Sequence, residues 1–211
     1  MLPAELMGLK EKSFKRFNFL MKNKGFINSL ILNVENSIKF IRQKRYNSII
    51  LNYDEKSDNL FRWYQQLVAE SLGKKSQGLT PIISTMPKDN HSLLQLYLDG
   101  PKNAFFTFYS VISDKSDKIF SKNVLNSKKY LKNKSSNEII KAQKIATQNV
   151  FQKRNIPFRT FEVKRRSEET LGELFCFFVL ETILIGKALK VNPFDQPSVE
   201  LIKIETKKIL S

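Results

Sequence analysis

The stretch YNSIILNYDEKSDNLFRWYQQLVAESLGKKSQGLTPIIST, Tyr46–Thr85, decides the fold. Its ends, YNSIILNY (46–53) and LTPIIST (79–85), are short β-branched runs of strand length. Between them, SDNLFRWYQQLVAESLGK (57–74) opens on Ser57 and Asp58 as cap candidates and places Leu60, Tyr64, Leu67 and Val68 on one helical face. Two strands separated by a helix of this length form a βαβ unit with parallel strands.

The same alternation extends in both directions. NSLILNVENSIKFIRQ (29–43) has helical spacing, as do DNHSLLQLYLDG (89–100), which ends in Gly-Pro, and NEIIKAQKIATQNVFQKR (137–154). NAFFTFYSV (103–111) and IPFRTFEV (156–163) are strand candidates. Lys-rich 113–136 is loop with at most a short helix, 167–190 is a long buried helix, and a last helix runs from about Gln196 to the end. No internal repeat is present. The expected fold class is α/β: one domain over 1–211, a parallel sheet with helices on both faces. In such sheets the ligand site lies at the carboxyl ends of the strands, and chemistry is expected there.

With 211 residues and 41% hydrophobic residues, the chain can bury a sizeable core and is not a disordered one. The net charge of +16 suggests nucleic acid or an anionic membrane. Its distribution argues against both. Residues 1–50 carry 10 Lys/Arg against 3 Asp/Glu, and 111–170 carry 15 against 6. Residues 51–110 carry 6 of each and 171–211 carry 5 of each. The basic excess therefore avoids the sharply patterned segments, and no nucleic-acid motif appears. The lone Cys176 excludes an internal disulfide and lies in the apolar run LFCFFVLETILIG, where inert packing suits it. Glu181 interrupts that run, which is too short for a membrane span. No signal-peptide pattern opens the chain, so the expected location is cytoplasmic, with no membrane or nucleic-acid partner.

Three side chains could carry chemistry. Glu70 closes the helix before Gly73; it reads either as a solvated carboxylate or as a general base. His91 is the only histidine, beside Asp89 and Asn90 as possible caps. It reads either as a helix N-terminal residue or as a proton-transfer group. Lys203 follows VNPFDQPSVELI, in which Pro193 and Pro197 restrict the backbone and Asp195 or Gln196 can cap the next helix. Val199, Ile202 and Ile204 suggest an apolar face with Lys203 at its border, its stem partly buried. No Cys/His/carboxylate cluster has metal-ligand spacing, so no metal and no cofactor are expected.

ESLGK, DNHSLLQLYLDGP and VNPFDQPSVELIK, taken in order, resemble the glucose-6-phosphate isomerase family in its C-terminal sugar isomerase (SIS) domain. The opening MLPAELMGL resembles the family segment at the entrance to that domain. The resemblance is close over 60–101 and 172–203 and weak over 111–170. It implies a flavodoxin-like three-layer SIS fold. It also implies interconversion of glucose 6-phosphate and fructose 6-phosphate through a cis-enediol. On it, Glu70 matches the base that moves the proton between C1 and C2, and His91 the ring-opening histidine lent by the second subunit of a homodimer. Lys203 matches the lysine that assists ring opening, and Gln196 a glutamine lining the substrate pocket. Ser198 stands where the family has glycine, so a required positive φ would be strained there. The family's phosphate-binding Ser/Thr loop and enediolate-stabilising arginine belong to an N-terminal SIS domain that is not expected within these residues. The chain is thus expected to be the C-terminal half, with little activity alone. A non-catalytic sugar-phosphate-binding or interaction module is the competing reading.

Overall fold

The computed structural model describes residues 5–6, 8–112 and 126–211. Strands β1 (Asn47–Asn52), β2 (Thr80–Thr85), β3 (Ala104–Val111) and β4 (Phe158–Val163) form one sheet in the order β2-β1-β3-β4. Every pairing is parallel, with Asn47 opposite both Thr80 and Ala104, and Phe106 opposite Phe158. Among the described residues seven α-helices accompany it: α1 (Glu11–Phe14), α2 (Lys24–Arg42), α3 (Asp58–Leu72), α4 (Leu94–Asp99), α5 (Ser136–Lys153), α6 (Glu168–Ala188) and α7 (Pro197–Leu210).

The central strands are apolar on both faces because both faces are covered. Ile50, Phe105 and Tyr109 pack with Leu30 of α2, Phe61 and Tyr64 of α3, and Phe177 and Phe178 of α6. Their neighbours Ile49, Leu51, Phe106 and Phe108 point the other way, toward Tyr97 of α4 and Phe151 of α5. The result is the expected three-layer α/β arrangement.

Helix α6 starts where Ser167 accepts from the Thr170 N–H, with Glu168 and Glu169 in the favourable first turn. Its interrupting Glu181 is buried yet paired: Arg159 of β4 reaches it with both terminal nitrogens, one at 3.1 Å. Arg159 also donates to Thr107 Oγ1 at 2.9 Å and to Asn33 Oδ1 at 3.1 Å. A buried charge pair with its remaining donors satisfied can lie in a core. Gly172 admits the α1 backbone: a Cβ there would fall 2.0 Å from the Phe14 carbonyl oxygen.

Most expected elements stand within a residue or two of their predicted ends. The amino end differs: α1 and a 3-10 helix over Lys15–Lys22 stand where no element is expected, and α2 begins at Lys24 rather than 29. The stretch 89–100 is not one helix: a 3-10 turn over Lys88–Asn90 precedes α4. The Asp89 carboxylate is occupied elsewhere, accepting from the Thr85 N–H at 2.9 Å and the Ser92 hydroxyl at 3.3 Å. In the Lys-rich stretch a 3-10 helix spans Asn126–Leu131, while 113–125 lie outside the described residues, as do 1–4 and 7 of the opening segment. The last helix forms, but α7 buries none of its residues. Among the described residues no helix is long and apolar enough to cross a membrane, and no group of His, Cys, Asp and Glu could hold a metal ion.

Candidate active site

Helix α3 runs antiparallel to the strands it connects, so its two ends meet opposite edges of the sheet. At its start, Asp58 accepts from Asn52 Nδ2 of β1 at 2.6 Å and from Thr85 Oγ1 of β2 at 3.2 Å, both on the carboxyl edge. At its end, Glu70 lies on the amino edge. Glu70 thus stands away from the strands' carboxyl ends, where a ligand site is expected in such sheets. The amino-edge position follows from where α3 stops, at Gly73, whose N–H bonds the Ala69 carbonyl.

Glu70 is half-buried and accepts two amide hydrogen bonds. Gln66, one turn earlier, donates to Oε1 at 3.0 Å, and Gln196 donates to Oε2 at 2.7 Å. The second bond joins positions 126 apart in sequence. It forms because α6 also runs back from the carboxyl edge and delivers the turn after it to the end of α3. Gly186 allows Pro193 and Leu72 to come together there: a Cβ on it would meet them at 3.3 and 3.4 Å. Lys74 then ties the two segments. Its ammonium donates to the Ser71 carbonyl at 3.2 Å and to the Asn192 carbonyl, and pairs with Asp195 at 3.1 Å. The ammonium holds the Asp195 carboxyl below its ordinary value.

Neither Asp195 nor Gln196 caps α7, contrary to expectation, because both side chains are engaged with α3 and the loop after it. Pro197 takes the first helical position as expected. Ser198 lies in the first turn of α7 and is not among the residues with positive φ, so serine is unstrained there. Lys203 differs most from its expectation. Its side chain is 66% exposed and its bond to Glu200, at 2.6 Å, lies on its own helix. With Val199, Ile202 and Ile204 also exposed, no apolar contact buries its stem.

His91 follows β2 on the carboxyl edge, exposed, its N–H bonded to the Lys88 carbonyl at 3.4 Å. A six-residue strand, roughly 20 Å at about 3.3 Å per residue, therefore separates it from the edge that carries Glu70. Within one chain, Glu70 and Gln196 meet; His91 and Lys203 do not join them. Sequence reasoning missed Gln66 and Lys74. The four-residue spacing from Glu70 could have signalled the first, whereas the acceptors of Lys74 come from a distant loop.

The carboxyl edge has its own polar groups. A cleft of about 420 Å³ there is lined by Asp54, Lys56, Ser110, Lys141, Lys144 and Glu162, among others. Lys144 is buried and donates to Ser110 Oγ at 2.7 Å and to Glu162. Cys176 of α6 is half-buried, and burial pushes its thiol up.

No protein-family model matches the chain. Curated relatives do. It is 33% identical over 181 residues to a probable glucose-6-phosphate isomerase of Methanococcus maripaludis, covering 86% of this chain and 40% of that one. It is 31% identical over 192 residues to the glucose-6-phosphate isomerase of Methanocaldococcus jannaschii, covering 90% and 45%. It is 37% identical over 176 residues to that of Mycoplasmopsis pulmonis, covering 82% and 41%.

The chain is homologous to part of glucose-6-phosphate isomerase. It spans less than half the length of these isomerases. Two solved structures share its fold. A hypothetical protein from Thermus thermophilus aligns over the whole chain and 52% of its own, with a TM-score of 0.85 at 24% identity. A glucose-6-phosphate isomerase from Chlamydia trachomatis aligns over 78% of this chain and 34% of its own, with a TM-score of 0.64 at 18% identity.

Proposed function

We propose that this chain supplies the proton-transfer part of a cytoplasmic aldose–ketose isomerase that interconverts glucose 6-phosphate and fructose 6-phosphate. It is the C-terminal SIS domain of that enzyme. Glu70 takes the proton from C2 of the open-chain aldose and returns it to C1 through a cis-enediol. A positioned carboxylate contributes about 10²–10⁴-fold to such a transfer. Gln196 and Gln66 orient the carboxylate. His91 of a second subunit and Lys203 serve ring opening, which requires α7 to dock and bring Lys203 to the sugar. The groups that hold the phosphate and stabilise the enediolate charge lie outside these 211 residues.

The single observation that carries this reading is the Gln196–Glu70 hydrogen bond. Two segments that match the isomerase motifs, far apart along the chain, come together on the carboxylate that the reaction needs. The coverage of 40–45% of the relatives fits a site completed by further residues.

A coupled assay of glucose 6-phosphate turnover tests it. The 211-residue chain alone is expected to turn over near background. In the complete isomerase, Glu70→Gln is expected to lower kcat by about 10²–10⁴-fold. Wild-type turnover by that variant overturns the proposal and leaves sugar-phosphate binding without catalysis.

A further inference from the structure

We propose that Lys74 is a positioning residue that holds Gln196 on the Glu70 carboxylate. The inference rests on the reading of Glu70 as the base and adds the group that sets its geometry. An ammonium has three donors and no acceptor. Those of Lys74 are matched by three oxygens: the Ser71 carbonyl at the end of α3, the Asn192 carbonyl, and Asp195 Oδ1. The Ser71 carbonyl lies at the negative end of the helix dipole, where a cation is favoured. The side chain is 11% exposed, whereas Asp195 is 52% exposed. A half-buried cation therefore draws a largely exposed carboxylate toward the end of α3.

Among the described residues, the only neighbouring-loop bond to this region apart from those of Lys74 is from Lys75 to the Lys190 carbonyl at its start, at 3.4 Å, and the Asn192 and Asp195 side chains contact each other within the loop. Val191 is buried and Pro193 packs beside Gly186, but Phe194 is 76% exposed. Phe194 N–H bonds the Asn192 side chain at 3.1 Å, a contact within the loop itself. Gln196 has no capping bond to hold its side chain. Of the two Lys74 contacts to the loop, Asp195 immediately precedes Gln196 and Asn192 stands four positions before it. Loss of this grip frees the loop between Val191 and α7, and the amide then leaves Oε2. An arginine can keep the contacts to Asn192 and Asp195 through its planar fork, whereas methionine keeps the stem and loses every donor.

The test uses the complete isomerase and the variants Lys74→Met, Lys74→Arg, Gln196→Ala, the Lys74→Met/Gln196→Ala double variant and Glu70→Gln. Displacement of an orienting group by about 1 Å lowers turnover by roughly 10²-fold, so Lys74→Met is expected to lower kcat by roughly 10- to 100-fold with KM little changed. Lys74→Arg is expected to recover most of the loss. In the Gln196→Ala background, Lys74→Met is expected to add less than about 3-fold, because both changes remove the same contact. Unchanged kcat in Lys74→Met, or fully additive losses, overturns the inference. If Glu70→Gln retains turnover, the catalytic reading fails and the clamp is judged by amide hydrogen exchange in the 211-residue chain. There Lys74→Met is expected to speed exchange of the 194–196 amides by about 10-fold or more, with the strand amides unchanged. Exchange equal to wild type overturns the clamp on its own.

Discussion

Glu70 and His91 stand on opposite edges of one sheet, the first where α3 ends and the second just beyond β2. No rotation of side chains brings them together in a single chain. If both serve one reaction, the imidazole comes from a second copy related by a two-fold axis. Complementation reads this directly. Glu70→Gln and His91→Ala variants of the complete isomerase are each expected to be nearly inactive. Mixed in equal amounts with subunit exchange, they are expected to recover about a quarter of wild-type turnover, since half the dimers are hybrids with one intact site. No recovery after verified exchange contradicts a histidine lent across the two subunits.

Arg159 and Glu181 tie β4 to α6 beneath the sheet, with Asn33, Thr107 and Tyr64 taking further donors. Removing one partner leaves an uncompensated buried charge. Glu181→Gln or Arg159→Met is expected to lower stability by about 3–5 kcal/mol. Replacing both by apolar residues of similar volume is expected to restore part of that loss. Urea unfolding of the four proteins checks the ordering.

The Lys144–Glu162 pair links α5 to the end of β4. Its Lys144 partner lowers the Glu162 carboxyl from an ordinary value of 4.5. A carboxyl lowered on folding adds stability that is present above its unfolded value and is lost as pH falls toward the folded one. The stability difference between wild type and Lys144→Met is therefore expected to be constant near neutrality and to shrink below about pH 4.5. Thermal melts from pH 7 to pH 3 measure it, and a difference that grows on acidification contradicts the pair's assignment.

Gly172 faces the Phe14 carbonyl so closely that a methyl group cannot enter without displacing backbone. Gly172→Ala is expected to lower stability by about 1–3 kcal/mol, even though alanine favours helix in isolation. The α1 region is expected to become more accessible to protease, with the sheet intact. A more stable alanine variant would mean that α1 does not pack on α6 at this point.

The layered fold was legible because its signal is local. The consecutive apolar residues Ile49–Leu51 in β1 and Ala104–Phe106 in β3 put apolar side chains on both faces of the sheet, as strands covered on both sides do, and the helices between them repeat at 3.6 residues. The broken helix at 89–100 was not legible, because Asp89 satisfies a backbone group of the preceding strand rather than its own helix. The exposed stem of Lys203 was not legible either: apolar spacing marks a face that can be buried, not whether anything buries it.

The sequence by itself determined the α/β class, the order of the four strands with the main helices between them, and which four residues are proposed as base, glutamine, histidine and lysine. Only the tertiary structure decided which of them meet. Parallel strands force α3 and α6 to run back to the amino edge, and that return places Glu70 beside Gln196 with Lys74 fastening the turn. The same geometry leaves His91 across the sheet and Lys203 in solvent on α7. Periodicity is set by neighbours along the chain, whereas the meeting of two distant side chains depends on the directions of whole elements.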